Sequence, residues 1–288
     1  MPDRLAERFS GRTLAVATRH GKERAIAPPF LEGLPLAQVV VVPDLDTDRF
    51  GTFSGEVERR LSPPEAALAK ARFGAEASGA DLVIASEGSF GPYPPAPFMP
   101  CDEEFLVLLD LRDGRHFLHR HVTLDVVFGG ERCERLDQVL AFAERMRFPE
   151  HGLILREQER WSEGQEQHKG LTDPGELRVL AEELLVRHGS LWACTDQRAM
   201  LNPTRMTAIA ATAEGFVKEM STCCPACGEV HFAVVEQLTG LPCSWCGTPT
   251  EMVRALVRGC AVCGHRSQVP RADGQVAADP GQCPSCNP

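Results

Sequence analysis

Apolar positions along the chain fall into short dense runs, with amphipathic segments between them. This pattern predicts an α/β protein. Residues 13–18, TLAVAT, read as a buried strand, because a short apolar run bounded by polar residues suits a sheet interior. A helix is expected from about residue 21, interrupted at Pro28 and Pro29, which lack the N–H a helix interior needs. AQVVVVPDL (37–45) gives a second strand, ended by Pro43. PPEAALAKARFGAEASG (63–79) is a helix whose leading prolines sit where a missing N–H matters least. DLVIASEGSFG (81–91) is a third strand running into a glycine turn. FLVLLDLRDG and HFLHRHVTLDVVF form a hairpin across the Asp113-Gly114 turn. A helix near 133–147 and the apolar GLILRE complete the first unit.

Beyond it, residues 157–172 are polar and read as a linker or surface loop, and 174–188 and 203–220 as helices. Asn202 can cap the second of these and Pro203 fits its first position. The expected fold is therefore a mixed sheet with flanking helices, then a helical segment and two small four-cysteine zinc ribbons. The boundaries drawn are an α/β domain over 1–158, a helical connector over 159–221 carrying TDQRAMLNPTRM, and a double zinc ribbon over 222–288.

The ribbons rest on four CxxC pairs: Cys224/Cys227, Cys243/Cys246, Cys260/Cys263 and Cys283/Cys286. Each pair can present two thiolates to one metal, and two pairs complete the tetrahedral shell that Zn²⁺ favours. Sequential pairing is the first expectation, with an interleaved cross-brace as the alternative. Cys223 could replace Cys224, while Cys101, Cys133 and Cys194 read as isolated. Gly228, Gly247 and Gly264 follow three of the pairs, where a tight knuckle calls for positive φ. Four thiolates leave no open coordination position, so the zincs are structural and not catalytic.

Composition narrows the partners. The chain of 288 residues carries a net charge of −10, and the ribbon segment is itself acidic, which disfavours nonspecific binding to nucleic acid or anionic membrane. No apolar run approaches the ~20 residues of a membrane span, and the first twenty residues lack a signal-peptide core. A soluble cytoplasmic protein is expected, in which thiols stay reduced and serve metals.

Three loops carry candidate chemistry. ATRHGKERAI (17–26) joins a strand to a helix with Lys22 in the first turn, an arrangement that suits phosphate. PDLDTDRFGTFSGEVE (43–58) alternates Asp44, Asp46 and Asp48 and continues to Glu56 and Glu58. It fails as an EF-hand, with Arg49 at the sixth position and Gly55 at the twelfth, but leaves a looser carboxylate set for Mg²⁺. IASEGSFGP (84–92) places Ser86, Glu87 and Ser89 at a strand's carboxyl end, where α/β sheets bind ligands. The proline-rich 92–100 reads as a stiff loop able to cover a pocket.

In this order, ATRHGK, FSGEVERR…AALAKAR and ADLVIASEGSFG resemble the inosine/xanthosine triphosphate pyrophosphatase superfold over about residues 13–125. His20 stands where that group has Asn, and Lys22 comes one residue early. The resemblance implies that Lys22 contacts phosphate while Glu56 and Glu87 hold Mg²⁺ and carry the catalysis. The whole chain more closely resembles a bacterial family of uncharacterised proteins, through TDQRAMLNPTRM, GLPCSWCG and the terminal CPSCNP. That resemblance implies the same architecture without an activity.

TDQRAMLNPTRM itself admits two readings. In one, Asp196 pairs with Arg198 or Arg205 to fix the helix start; in the other, the two arginines and the helix N-terminus grip an anion. The chain is thus expected to be a zinc protein that acts on a nucleotide or other phosphorylated small molecule, as a Mg²⁺-dependent hydrolase. The alternative is a noncatalytic zinc-ribbon adaptor for protein or RNA.

Overall fold

A computed structural model describes residues 3–93, 96–271 and 273–288. The chain opens with a short helix, α1 (Arg4–Phe9), and divides into two units. One spans residues 11–216, and the other joins residues 1–10 to 217–288.

In the larger unit, β1 (Thr13–Ala17), β2 (Gln38–Val41), β3 (Leu82–Tyr93), β4 (Ala96–Asp110) and β5 (Arg115–Thr123) form one sheet in the order β2-β1-β3-β4-β5. β1 runs parallel to β2 and β3, while β3, β4 and β5 are antiparallel. This is the mixed sheet that the apolar runs predict. α2 (Glu23–Gly33) returns the chain from β1 to β2, and α3 (Pro63–Ser78) leads into β3. Ser62 and Glu65 close a capping box at the start of α3. Its Ala71 and Ala75 then pack with Ala15, Ala17, Val83 and Ala85 of the sheet.

Two expectations change here. α2 is not interrupted at Pro28 and Pro29 but continues to Gly33. Ile26 and Phe30, one turn apart and fully buried, hold the helix across the prolines, so packing overrides the missing N–H groups. Residues 92–93 and 96–100 are strand and not loop. β3 and β4 pair through Gly91–Cys101 and Pro92–Pro100, since proline's fixed φ is compatible with extended backbone. Pro94 and Pro95 of that stretch lie outside the described residues.

The same unit holds a second, antiparallel sheet of β6 (Gly130–Cys133), β7 (Leu153–Arg156), β8 (Gln167–Leu171) and β9 (Leu191–Thr195), ordered β6-β9-β7-β8. α4 (Leu136–Arg145) and α5 (Pro174–His188) supply Val139, Phe142, Ala181 and Leu184 to its core, with Leu153, Leu155, Leu191 and Ala193 from the strands. The segment read as a linker at 157–172 therefore contains a strand. β8 lies at the sheet edge and needs few apolar residues, which explains its polar sequence. Residues 159–221 accordingly combine two strands with two helices.

α6 (Pro203–Met220) starts as the sequence indicates. Asn202 Oδ1 accepts the Arg205 N–H at 2.9 Å. Ile209, Ala213 and Phe216 are fully buried, and the Phe216 ring meets Phe30 edge-on with centroids 5.8 Å apart. In the smaller unit, β10 (Ala233–Thr239), β11 (Val253–Gly259) and β12 (Arg266–Pro270) form an antiparallel meander. Among the described residues, no helix is long and apolar enough to cross a membrane.

Candidate metal centres and a cationic cavity

The eight CxxC thiols converge in two groups of four, but not in sequential order. Cys224, Cys227, Cys260 and Cys263 form one group, and Cys243, Cys246, Cys283 and Cys286 the other. Sequential pairing is thus corrected to the interleaved alternative. The meander explains it. The first knuckle precedes β10 and the third joins β11 to β12, at the end where Ala233 faces Gly259. The second follows β10 and the fourth follows β12, at the opposite end, where Thr239 faces Val253.

Cross-knuckle Sγ···Sγ distances are 3.7 Å for Cys224–Cys263 and Cys227–Cys260, 3.9 Å for Cys243–Cys286 and 3.6 Å for Cys246–Cys283. A tetrahedral Zn²⁺ with Zn–S of about 2.3 Å separates its sulfurs by about 3.8 Å, so both groups fit zinc. Gly228, Gly247 and Gly264 have φ of 76°, 73° and 71°, and each donates its N–H to the carbonyl of the first cysteine of its knuckle. At the fourth knuckle Asn287 makes the same bond to Cys283 at 2.9 Å. Cys223 is exposed and belongs to neither group.

The larger unit contains a cavity of about 300 Å³ at the carboxyl end of β1, beside Ser86 and Glu87. These two stand in the middle of β3 and not at its end, since β3 runs on through the expected glycine turn to Tyr93. β1 and β3 run side by side, with Ala17 opposite Ala85, so the turn after β1 lies next to Ser86 and Glu87. Lys22 ends that turn. It makes no side-chain cap on α2 and instead donates from Nζ to Ser86 Oγ at 3.0 Å. Burial, together with the positive charge of Arg205, lowers the Lys22 ammonium to about 7. Glu87 accepts from Lys70 of α3 and, at 2.8 Å, from Arg59. Burial alone would raise the Glu87 carboxyl, but Lys70, Lys22 and Arg59 outweigh it and hold it below the usual range.

The junction before α6 closes another wall. Arg198 grips Asp196 through Nε and Nη2, at 2.6–3.1 Å, and Asp196 also accepts the N–H of Gly170. Asp196 therefore pairs with Arg198 and not with Arg205. Arg205 reaches Glu104 Oε1 at 2.6 Å and the carbonyl of Gln197, and its Nη2 has no hydrogen-bond partner. Its guanidinium lies 4.7 Å from the Phe53 ring centroid. Beside Glu104 along β4, Asp102 is buried with Oδ1 unpartnered. Burial and the Glu104 charge raise its carboxyl to about 7.

Gly88 makes this arrangement sterically feasible. A Cβ there would collide with Arg205 Nη2 and Glu104 Oε1. Gly88→Ala is expected to destabilise the protein by about 1–3 kcal/mol through overpacking. Thermal unfolding would measure it, and an unchanged melting temperature would show that Arg205 can sit elsewhere.

Of the residues singled out from sequence, Lys22, Glu56, Ser86, Glu87, Arg198 and Arg205 all line this cavity. Ser89 does not: it lies further along β3, opposite Glu103. Asp48 also lines it, bound to His20 at 2.9 Å and to Arg19 at 3.1 Å. Asp44 and Asp46 lie outside it. Sequence reasoning missed Lys70 and Lys169 as cavity residues. Lys70 sat inside the quoted AALAKAR, whereas Lys169 lay in the polar stretch read as a linker. The cations Arg19, Lys22, Lys70, Lys169, Arg198 and Arg205 thus face the carboxylates of Asp48, Glu56 and Glu87. The lining is mostly cationic, although Arg198, Arg205 and Arg19 are paired with Asp196, Glu104 and Asp46, which lie outside it.

The arrangement gives no support to a Mg²⁺ site at these carboxylates. Both Glu87 oxygens are taken by cations, and Glu56 is held by Lys169, Ser54 and Gln167. No cluster of three or more His, Cys, Asp or Glu ligand atoms is found at this cavity among the described residues.

A mixed α/β unit with a ligand-sized cavity, joined to a unit with two interleaved four-cysteine groups, defines an α/β protein with two sites geometrically suited to zinc. The chain belongs to the DUF6671 family, described as a domain of unknown function, whose model matches residues 70–288. The matched span includes all eight clustered cysteines together with Lys70, Glu87, Glu104, Arg198 and Arg205. No curated protein matches the chain.

Proposed function

We propose that the protein binds the phosphate groups of a small molecule in the cationic cavity and acts on that molecule as a phosphohydrolase. The observation that carries the reading is the set of three cations, Lys22, Lys70 and Arg205, each less than a tenth exposed, lining a cavity with only one comparably buried carboxylate, Glu87. Arg205 is already paired with Glu104 and Lys70 with Glu87, so Lys22, which meets only the Ser86 hydroxyl, is the cation left without a carboxylate, and a phosphate would supply it with both charge and acceptors. The position at the carboxyl end of β1, where its parallel pairing with β3 stops, agrees with where open α/β sheets take ligands. The resemblance of residues 13–125 to the pyrophosphatase superfold points the same way, since Lys22 and Glu87 lie in one cavity. A metal role for Glu56 and Glu87 finds no support in their present partners, so the reading rests on phosphate binding. The clustered thiols are structural, and the chemistry belongs to the other unit.

The test is calorimetric titration of the zinc-loaded protein with inorganic tripolyphosphate at pH 8, in two buffers of different ionisation enthalpy. Lys22, near 7 in the free protein, is largely neutral at pH 8. An anion beside it favours the charged form, so binding is expected to take up close to one proton. Lys22→Met should abolish that uptake and weaken binding. Absence of tripolyphosphate binding would overturn the reading and leave the adaptor role of the ribbon unit. Turnover of a nucleoside triphosphate panel with and without Mg²⁺, and its loss in Glu87→Ala, addresses the hydrolytic step.

A further inference from the structure

A second cavity, of about 410 Å³, adjoins the cationic one. The two share Phe53, Ser54 and Arg198, which line both. Each has the size of an ordinary small-molecule site. Their chemistry differs. Charged side chains line both, but the second adds the aromatic rings of Phe128 and Trp192 to that of Phe53, with Gly129 and Gly130 also in its wall. The aromatic wall is held from behind. Phe128 stacks on Phe90 with centroids 5.4 Å apart, and Phe90 meets Phe53 edge-on at 5.6 Å. Phe128 is 44% exposed, so part of its ring remains open to a ligand.

Polar groups at the rim complete the picture. Gln197 is fully engaged: its amide donates to Val127 O and Thr195 Oγ1 and accepts from Asn202. Arg156 donates from Nη1 to Ser54 O at 3.3 Å, but its buried Nε has no partner. Glu159 and Arg160 line the cavity, and among the described residues their side chains make no hydrogen bond or ion pair. The cavity thus offers flat apolar faces together with both donors and an acceptor still unused at the edge. Those are the needs of a planar nitrogen heterocycle, which stacks by its faces and hydrogen-bonds by its edge.

We infer that the second cavity receives a nucleobase, so that the ligand of the paired cavities is a nucleotide, its phosphates among Lys22, Lys70 and Arg205 and its base against Trp192 and Phe128. This rests on the phosphate reading of the first cavity. Arg198 stands at the shared wall, placed to contact the sugar or the phosphate nearest it. A phosphorylated sugar or an inorganic polyphosphate would fill only the first cavity.

The experiment compares inorganic tripolyphosphate, ribose 5-phosphate and the four ribonucleoside triphosphates by calorimetry on the full zinc-loaded chain. At least one nucleoside triphosphate is expected to bind tenfold or more tighter than tripolyphosphate. Phe128→Ala should remove roughly tenfold of that affinity, about the effect of losing one aromatic stacking partner, and leave tripolyphosphate binding unchanged. Phe128 is partly exposed, so this variant should fold; Trp192→Phe gives an independent check, and Trp192 fluorescence should change on nucleotide but not on tripolyphosphate addition. If tripolyphosphate binds as tightly as every nucleotide, or if Phe128→Ala weakens both alike, the nucleobase site is overturned while the phosphate site stands. If neither probe binds, both readings fall.

Discussion

A protein carrying Cys224→Ser with Cys263→Ser is expected to keep one zinc ion at undiminished affinity and lose the other. A protein carrying Cys224→Ser with Cys243→Ser is expected to hold both zincs weakly. The two double variants separate the interleaved from the sequential arrangement, because sequential pairing reverses both outcomes. In the first variant, the group Cys224/Cys227/Cys260/Cys263 is left with two thiols while Cys243/Cys246/Cys283/Cys286 is intact. In the second, each group keeps three. Zinc content after competition with a chelator of graded strength reads the difference directly.

The effect should be large, because structural zinc in small modules contributes apparent binding energies of about 10–16 kcal/mol that are available only to the folded state. The hydrophobic content around the first group is slight: Phe232 packs with Cys224 and Cys260, and its ring stacks on His265 at 5.8 Å. Such a core cannot hold a three-stranded meander unaided. Full chelation is therefore expected to unfold residues 217–288 while the larger unit, with its own two sheets, retains its secondary structure. Trp245, between Cys243 and Cys246, reports the first event, and Trp161 and Trp192 report the second. A chelated protein with unchanged Trp245 emission would mean that the knuckles are held by something other than metal.

Much of this architecture could be read from residue spacing. The four CxxC pairs and their following glycines fixed the knuckles, and Asn202-Pro203 fixed the start of α6. The pairing of knuckles was not legible, because it depends on how many strands separate them. Three strands alternate the ends of the sheet, and the strands at 233–239 and 253–259 are short and half polar. β8 was missed for a related reason, since an edge strand at 167–171 carries no apolar alternation. The helix at 23–33 was misjudged because Ile26 and Phe30 override two prolines only through burial that the sequence does not display. The cavity was legible in its parts but not as a whole. Lys22, Glu87 and Arg205 stand far apart along the chain, and only the parallel register of β1 and β3 and the return of α6 bring them together. Lys70 and Lys169 escaped because each lies in a segment whose local pattern signals a solvated helix or loop.

Arg205 is where the two readings of TDQRAMLNPTRM meet, and its replacement should be the most damaging single change in the larger unit. Arg205→Met is expected to cost about 3–5 kcal/mol, since it leaves Glu104 buried as a charge without its partner. The loss should grow with pH. Asp102 is raised to about 7 by burial and by the Glu104 charge, while Arg205 pulls it the other way. Without the arginine its carboxyl rises further. A carboxyl raised above its unfolded value favours folding below that unfolded value, and the advantage disappears as pH climbs through the folded one. Chemical denaturation should thus show a smaller deficit at pH 5.5 than at pH 8. Arg205→Met combined with Glu104→Met should recover a good part of the loss, because removing both charges leaves no orphan. Arg198→Met should cost less, about 1–3 kcal/mol, as Asp196 keeps the N–H groups of Arg198 and Gly170. Stability and ligand binding then part company. If Arg205 serves only the helix start, the double variant will bind tripolyphosphate as the unaltered protein does. If its unpartnered Nη2 is there for an anion, the double variant will be stable and will not bind.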